Sequence, residues 1–106
     1  MRLNLPVDLQ ILREMADGRR QTAKNLSAIL DRDNNYVNNR VVQLEGDGLL
    51  ERVGPAENSG LYEITEVGHR ALRYQDKYEH GIGFEFGQFV KGELSLEEFE
   101  SRVGDD

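Results

Sequence analysis

Hydrophobic and polar positions alternate along this chain with two different periods. From Pro6 onward, Leu9, Ile11, Leu12 and Met15 follow helical spacing and Asp17-Gly18 supplies a stop, which predicts a first helix. Thr22 is placed to cap a second, about two turns long, whose apolar positions are Leu26, Ile29 and Leu30. Asp31-Arg32-Asp33-Asn34 reads as a tight polar turn. A third helix over about Asn35 to Leu44 carries a thin stripe, Val37, Val41 and Leu44 at i, i+4 and i+7, and is ended by Gly46 and Gly48. The period then changes to that of a hairpin: Leu49 to Val53 predicts a strand, Gly54 to Gly60 a turn rich in Gly and Pro, and Leu61 to Ile64 the returning strand. Thr65-Glu66 caps a fourth helix running through Val67, Ala71 and Leu72 toward Tyr78, and His80-Gly81-Ile82-Gly83 breaks it. An aromatic stretch with Phe84, Phe86, Phe89 and Val90 follows, and Ser95-Leu96-Glu97-Glu98 fits a capping box opening a last helix.

The fold class predicted is mainly α with a small β-hairpin (α+β): a winged helix-turn-helix in residues 1–78, followed by a short, acidic, aromatic-containing C-terminal helical appendix in 79–106. Two short helices joined by a four-residue turn, with a hairpin directly after the second, are the parts of a winged DNA reader. In that arrangement the third helix enters the major groove, so its outer face should be rich in hydrogen-bonding groups and poor in carboxylates. From Asn34 to Gln43 there are four Asn, one Tyr, one Arg, one Gln and no acid, although 20 of the 106 residues are acidic. Asn and Gln match the donor and acceptor edge of adenine, and Arg matches the acceptor pair of guanine. Because Asn is a poor helix former, four of them on one helix cost stability without helping folding. Asn35, Tyr36, Asn38, Asn39, Arg40 and Gln43 are therefore the candidate base-reading residues.

Candidate phosphate and wing contacts are Arg19, Arg20, Thr22 and Lys24 near the start of the second helix, Arg52 on the hairpin, and Asn58 and Ser59 at its tip. Glu57 makes that tip a weak electrostatic partner for DNA. The alternative is that Arg19 and Arg20 are solvated turn residues and that Arg52 pairs with Glu51 or Glu63 across the hairpin.

Composition narrows the remaining classes. With 106 residues the chain makes one domain-sized unit, and no apolar run approaches the ~18 residues of a membrane span, so a soluble protein with no membrane partner is expected. The opening residues do not resemble a secretory signal, which makes the cytoplasm the expected compartment. The chain has no Cys and two isolated His, His69 and His80, which read as helix-surface residues; no metal and no cofactor are expected. No nucleophile–base or paired-carboxylate arrangement stands out, so an enzyme is not expected. The net charge is −7, and the deficit is local: 11 acids face 10 bases up to Tyr74, and nine face three beyond it. The bases are ten Arg and three Lys; this balance fits either an acidic, solubilising tail or a surface adapted to high salt.

Several stretches carry a family resemblance. Thr22-Ala23-Lys24-Asn25-Leu26-Ser27, then Val37 to Leu44 followed by Glu45-Gly46-Asp47-Gly48-Leu49-Leu50-Glu51-Arg52, resemble the winged-helix repressors of the MarR and ArsR kind. Leu61-Tyr62-Glu63-Ile64-Thr65-Glu66-Val67-Gly68 is similar to the strand and helix that follow the wing in those families. With its acidic, lysine-poor balance the chain is also similar to small winged-helix proteins of salt-loving archaea related to the repressor of the halophilic phage phi-H. The resemblance covers residue 3 to about 78 and implies a sequence-specific regulator of transcription, a repressor, that binds double-stranded DNA as a dimer. The His and Cys pairs of metal-sensing relatives are missing. Phe84, Phe86, Phe89 and Phe99 supply apolar surface beyond what 78 residues need, and a homodimer interface is their expected use, with folding back onto the winged helix as the alternative. Lys91 to Glu100 also looks like a short C-terminal helix found on many oligomeric prokaryotic proteins. The rival function is a winged-helix module that binds protein and not DNA; RNA binding has only Tyr36 as an aromatic platform.

Overall fold

A computed structural model describes residues 1–54 and 60–104. The order of elements is α1 (Val7–Glu14), β1 (Gln21–Thr22), α2 (Ala23–Leu30), α3 (Asn34–Gly46), β2 (Leu50–Val53), β3 (Leu61–Ile64), α4 (Glu66–Arg73), two single turns of 3₁₀ helix (Gln75–Lys77 and His80–Ile82), α5 (Gly83–Val90) and α6 (Leu96–Val103).

Local chemistry sets most of these boundaries. Thr22 accepts from the Asn25 amide at 3.0 Å and starts α2, which ends on Asp31 in the left-handed conformation (φ 54°). Asp33 accepts from the Tyr36 amide at 2.9 Å and starts α3. After α3 the chain reverses at Gly48, whose φ of +85° suits only glycine without strain. Thr65 does two jobs: its hydroxyl meets the Gly48 carbonyl at 2.6 Å, tying α4 to the end of α3, and it accepts from the Gly68 amide at 3.1 Å. Ser95 and Glu98 form the complete capping box that the sequence predicts for α6.

The sheet has three antiparallel strands in the order β1-β3-β2. Gln21 faces Tyr62 and Thr22 faces Leu61 on one side of β3, while Leu50 faces Ile64 and Arg52 faces Tyr62 on the other. The strand β1 was not expected, since two residues carry no period. The fourth helix is also shorter than expected, ending at Arg73, because the Gln75 side-chain amide donates to the Leu72 carbonyl at 3.0 Å and closes the last turn.

One hydrophobic core takes residues from every α-helix. Ile11, Leu12, Met15, Leu26, Val37, Val41 and Leu44 belong to the part of it on α1, α2 and α3, and Leu3, Phe86, Phe89 and Phe99 continue the same core toward α5 and α6. This corrects the expected dimer face: Phe86, Phe89 and Phe99 are buried within their own chain. Phe89 stacks on Phe99 with centroids 4.9 Å apart, and Tyr78 meets Phe86 edge-on at 5.2 Å. Of the four rings only Phe84 is free of the core, 70% exposed. The stretch read as an aromatic appendix is the helix α5, held against the start of the chain by a hydrogen bond from the Met1 amino group to the Gly83 carbonyl at 3.1 Å. Nearby, the Leu3 amide donates to the Tyr78 hydroxyl at 2.9 Å. Arg70 of α4 adds a clamp, donating to the Phe89 and Val90 carbonyls at 3.1 and 3.2 Å, where the α5 dipole is negative.

Candidate nucleic-acid interface

Helix α3 divides into two faces. Val37, Val41 and Leu44 are fully buried and fix the helix on α1 and α2. Asn35, Asn38, Asn39 and Gln43 are exposed on the opposite side, with Tyr36 at its flank. The structure thus brings five of the six candidate base-reading residues onto one solvent-facing surface, free of carboxylates. No hydrogen bond within the described residues occupies the four amide side chains, so their donors and acceptors are available to a partner.

The sixth, Arg40, is elsewhere. Its Nε and Nη2 donate to the two carboxylate oxygens of Asp8 at 3.0 and 2.9 Å, and the side chains are 14% and 0% exposed. Asp8 also accepts from the Asn4 amide at 2.7 Å, so this carboxylate, out of contact with water, has three donors. The pair joins α1 to α3 in a bidentate geometry. The hydrogen bond to Asp8, stronger in effect than the burial that opposes it, raises the Arg40 pKa above its ordinary value. Assigning Arg40 to base readout is therefore corrected: its guanidinium is spent inside the protein. Nothing in the sequence signals this partner, which lies 32 residues away.

The outer face also holds a residue that the sequence reading passed over. Val42 is 45% exposed and lies three residues from Asn39 and four from Asn38, so the three are neighbours on the helix surface. The signal was available, because Asn35, Asn39 and Val42 fall at i, i+4 and i+7.

The predicted phosphate contacts are distributed around the start of α2. Thr22 caps that helix, and Lys24 is exposed with no ion-pair partner among the described residues. Arg19 lies 2.9 Å from Asp17, both exposed, and Arg20 lies 2.7 Å from Glu63. The second pair has a structural use. Glu51 and Glu63 face each other across the hairpin, and Arg20 offsets their repulsion. Arg52 pairs with neither glutamate; it donates to the Tyr62 hydroxyl at 3.0 Å, which raises its pKa, and lies 5.5 Å from the centre of that ring. Asn58 and Ser59, like Glu57, lie outside the described residues.

Three helices, the third exposed on one side, and a hairpin joined through β1 to the start of α2 make up this arrangement. It is similar to the oxidized form of MarR from E. coli, with a TM-score of 0.56 over 90% of this chain and 67% of that one at 19% sequence identity. The fold is a winged helix. No protein-family model and no curated protein matches the sequence. In this winged helix β2 and β3 are the wing, α2 and α3 are the helix-turn-helix, α5 packs on α4 and α6 packs on α5. No described helix is long and apolar enough to cross a membrane.

Proposed function

We propose that this winged helix is a sequence-specific, double-stranded-DNA-binding regulator of transcription. The observation that carries the reading is the exposed, acid-free amide face of α3 on a chain that is otherwise rich in acids. Asn35, Asn38, Asn39 and Gln43, with Tyr36 at the flank, contact base edges in the major groove. Lys24, Thr22, Arg19 and Arg20 approach phosphates around the α2 N-terminus. The exposed pairs Arg19–Asp17 and Arg20–Glu63 exchange for phosphate at little cost, since such pairs are each worth about 0–1 kcal/mol. Arg40 positions α3 without touching DNA.

The finer reading is a repressor that binds two half-sites as a homodimer, with Phe84 the one appendix ring left to meet a second copy. The acid-rich, lysine-poor composition supports a high-salt setting and kinship with the haloarchaeal phage phi-H type of repressor. A selection from random duplexes, at low and at multi-molar salt, tests the reading. Enrichment of one motif with affinity well above that for scrambled duplex is the expected result; binding that never exceeds the scrambled level refutes it.

One observation favours a second reading, a protein-binding module. Most arginines of residues 1–54 are already satisfied internally, with Arg32 bonded to Gln10 in addition to the pairs above, and the net charge is −7. On that reading, Asn39→Ala leaves every duplex affinity unchanged and abolishes capture of a protein partner.

A further inference from the structure

The reading face of α3 carries amides, one branched apolar side chain and, at its flank, Tyr36, and no free cation. The only basic residue of α3 is Arg40, off this face, and both edges of the Asp8 carboxylate hold its guanidinium. Guanine offers two acceptors, O6 and N7, to the major groove, and the group that suits them is a forked cation. An amide is a poor substitute, because its carbonyl oxygen would face O6 with no hydrogen between them. Adenine offers one donor and one acceptor, the complement of a carboxamide, and thymine offers a methyl group to an apolar side chain. From Asn35 to Val42 the helix advances about 10 Å, the length of roughly three stacked base pairs.

Resting on the DNA-binding reading above, we propose that the part of each half-site read by α3 is a block of about three A·T pairs, with Asn35 and Asn39 taking adenine edges and Val42 packing on a thymine methyl. The adjacency of Val42 to Asn38 and Asn39 on the helix surface places the methyl contact beside the amide contacts, on the same or the next base pair. A·T preference here comes from a cation made unavailable as much as from the groups that are present.

The experiment has two stages, both with the full chain. Selection from random duplexes identifies the preferred site. Duplexes carrying deoxyuridine for thymidine, which deletes only the methyl, and 7-deazaadenine for adenine, which deletes only the N7 acceptor, are then titrated by fluorescence anisotropy against wild type, V42A and N39A. Expected is an A·T block in which one uracil weakens the wild type by about fourfold, the worth of one buried methyl, and leaves V42A no weaker. Loss of N7 at one adenine weakens the wild type about tenfold and leaves N39A unaffected. Both side chains are exposed, so the variants keep the wild-type urea midpoint. A selected site whose half-sites hold G·C pairs and no block of about three A·T pairs, or equal responses of wild type and V42A to uracil, overturns the inference while leaving DNA binding intact. Failure to enrich any duplex overturns it together with the function on which it rests.

Discussion

Replacing Arg40 by Met tests how α3 is held. The substitution keeps the length and the apolar stem of the side chain and removes the guanidinium, so the Asp8 carboxylate, 0% exposed, keeps only the Asn4 amide of its three donors. Removing one partner of a buried pair costs about 3–5 kcal/mol, because the other charge stays desolvated without compensation. The lower end applies here, about 3 kcal/mol, since one edge of Arg40 already reaches water. Asp8→Asn is the milder change: the amide oxygen still accepts from Asn4 and Arg40 can turn outward, so the loss is about 1–2 kcal/mol. Asp8→Leu combined with Arg40→Met removes both charges and refills the space, and should recover most of the loss. Urea unfolding followed by circular dichroism gives all three values. If Arg40→Met unfolds within about 0.5 kcal/mol of the wild type, or the double variant loses as much as Arg40→Met alone, the pair does not hold α3 as described.

Three other outcomes follow from packing and caps. Phe89→Ala should cost about 3–5 kcal/mol, read from thermal melts, because the ring fills the junction of α4, α5 and α6; for the same reason a chain lacking residues 81–106 should lose its cooperative transition and not survive as a folded monomer. Gly68→Ala should destabilise by about 1–3 kcal/mol in the same measurement, since a Cβ there would sit against the Leu49 carbonyl and 2.6 Å from Cγ1 of Ile64. The hydrogen bonds from the backbone and side chain of Ser95 hold the Glu98 carboxyl below the usual 4.5, so its contribution is complete above that pH and is lost as pH falls through the lower folded value. Comparing acid unfolding of wild type and Glu98→Gln checks this; a constant difference down to strong acid refutes it.

Much of the winged helix was legible because its signals are local. The stripe Val37, Val41, Leu44 and the caps Thr22, Thr65 and Ser95 act over three or four residues, and each is where the sequence placed it. Helix α5 was not legible, because Gly83 and Gly87 lower its propensity and Phe84 and Phe86 alternate like a strand; its helical face is defined by what it meets, Met1 and Tyr78. The buried rings were misassigned for a related reason. Apolar surface in excess of a short domain's needs is visible in a sequence, but whether it closes on its own chain or on another is set by tertiary geometry. Arg40 on the outer-looking half of a polar helix is the same problem in one residue: charge pattern shows a base, and only packing shows that Asp8 has claimed it.

The division of α3 has a consequence for how such a protein can change. Residues 37, 40, 41 and 44 hold the helix in place, while 35, 38, 39, 42 and 43 are exposed and their side chains take no part in the hydrogen bonds among the described residues. Substitutions in the second set are nearly free of stability cost, so on the DNA-binding reading proposed above the target site can drift, or be redesigned, one contact at a time while the scaffold stays as it is. Admitting a guanine contact from within α3 is then a matter of placing a new arginine at position 39 or 43. Freeing Arg40 would carry the penalty of an abandoned Asp8, which makes that position the least accessible route to a new specificity.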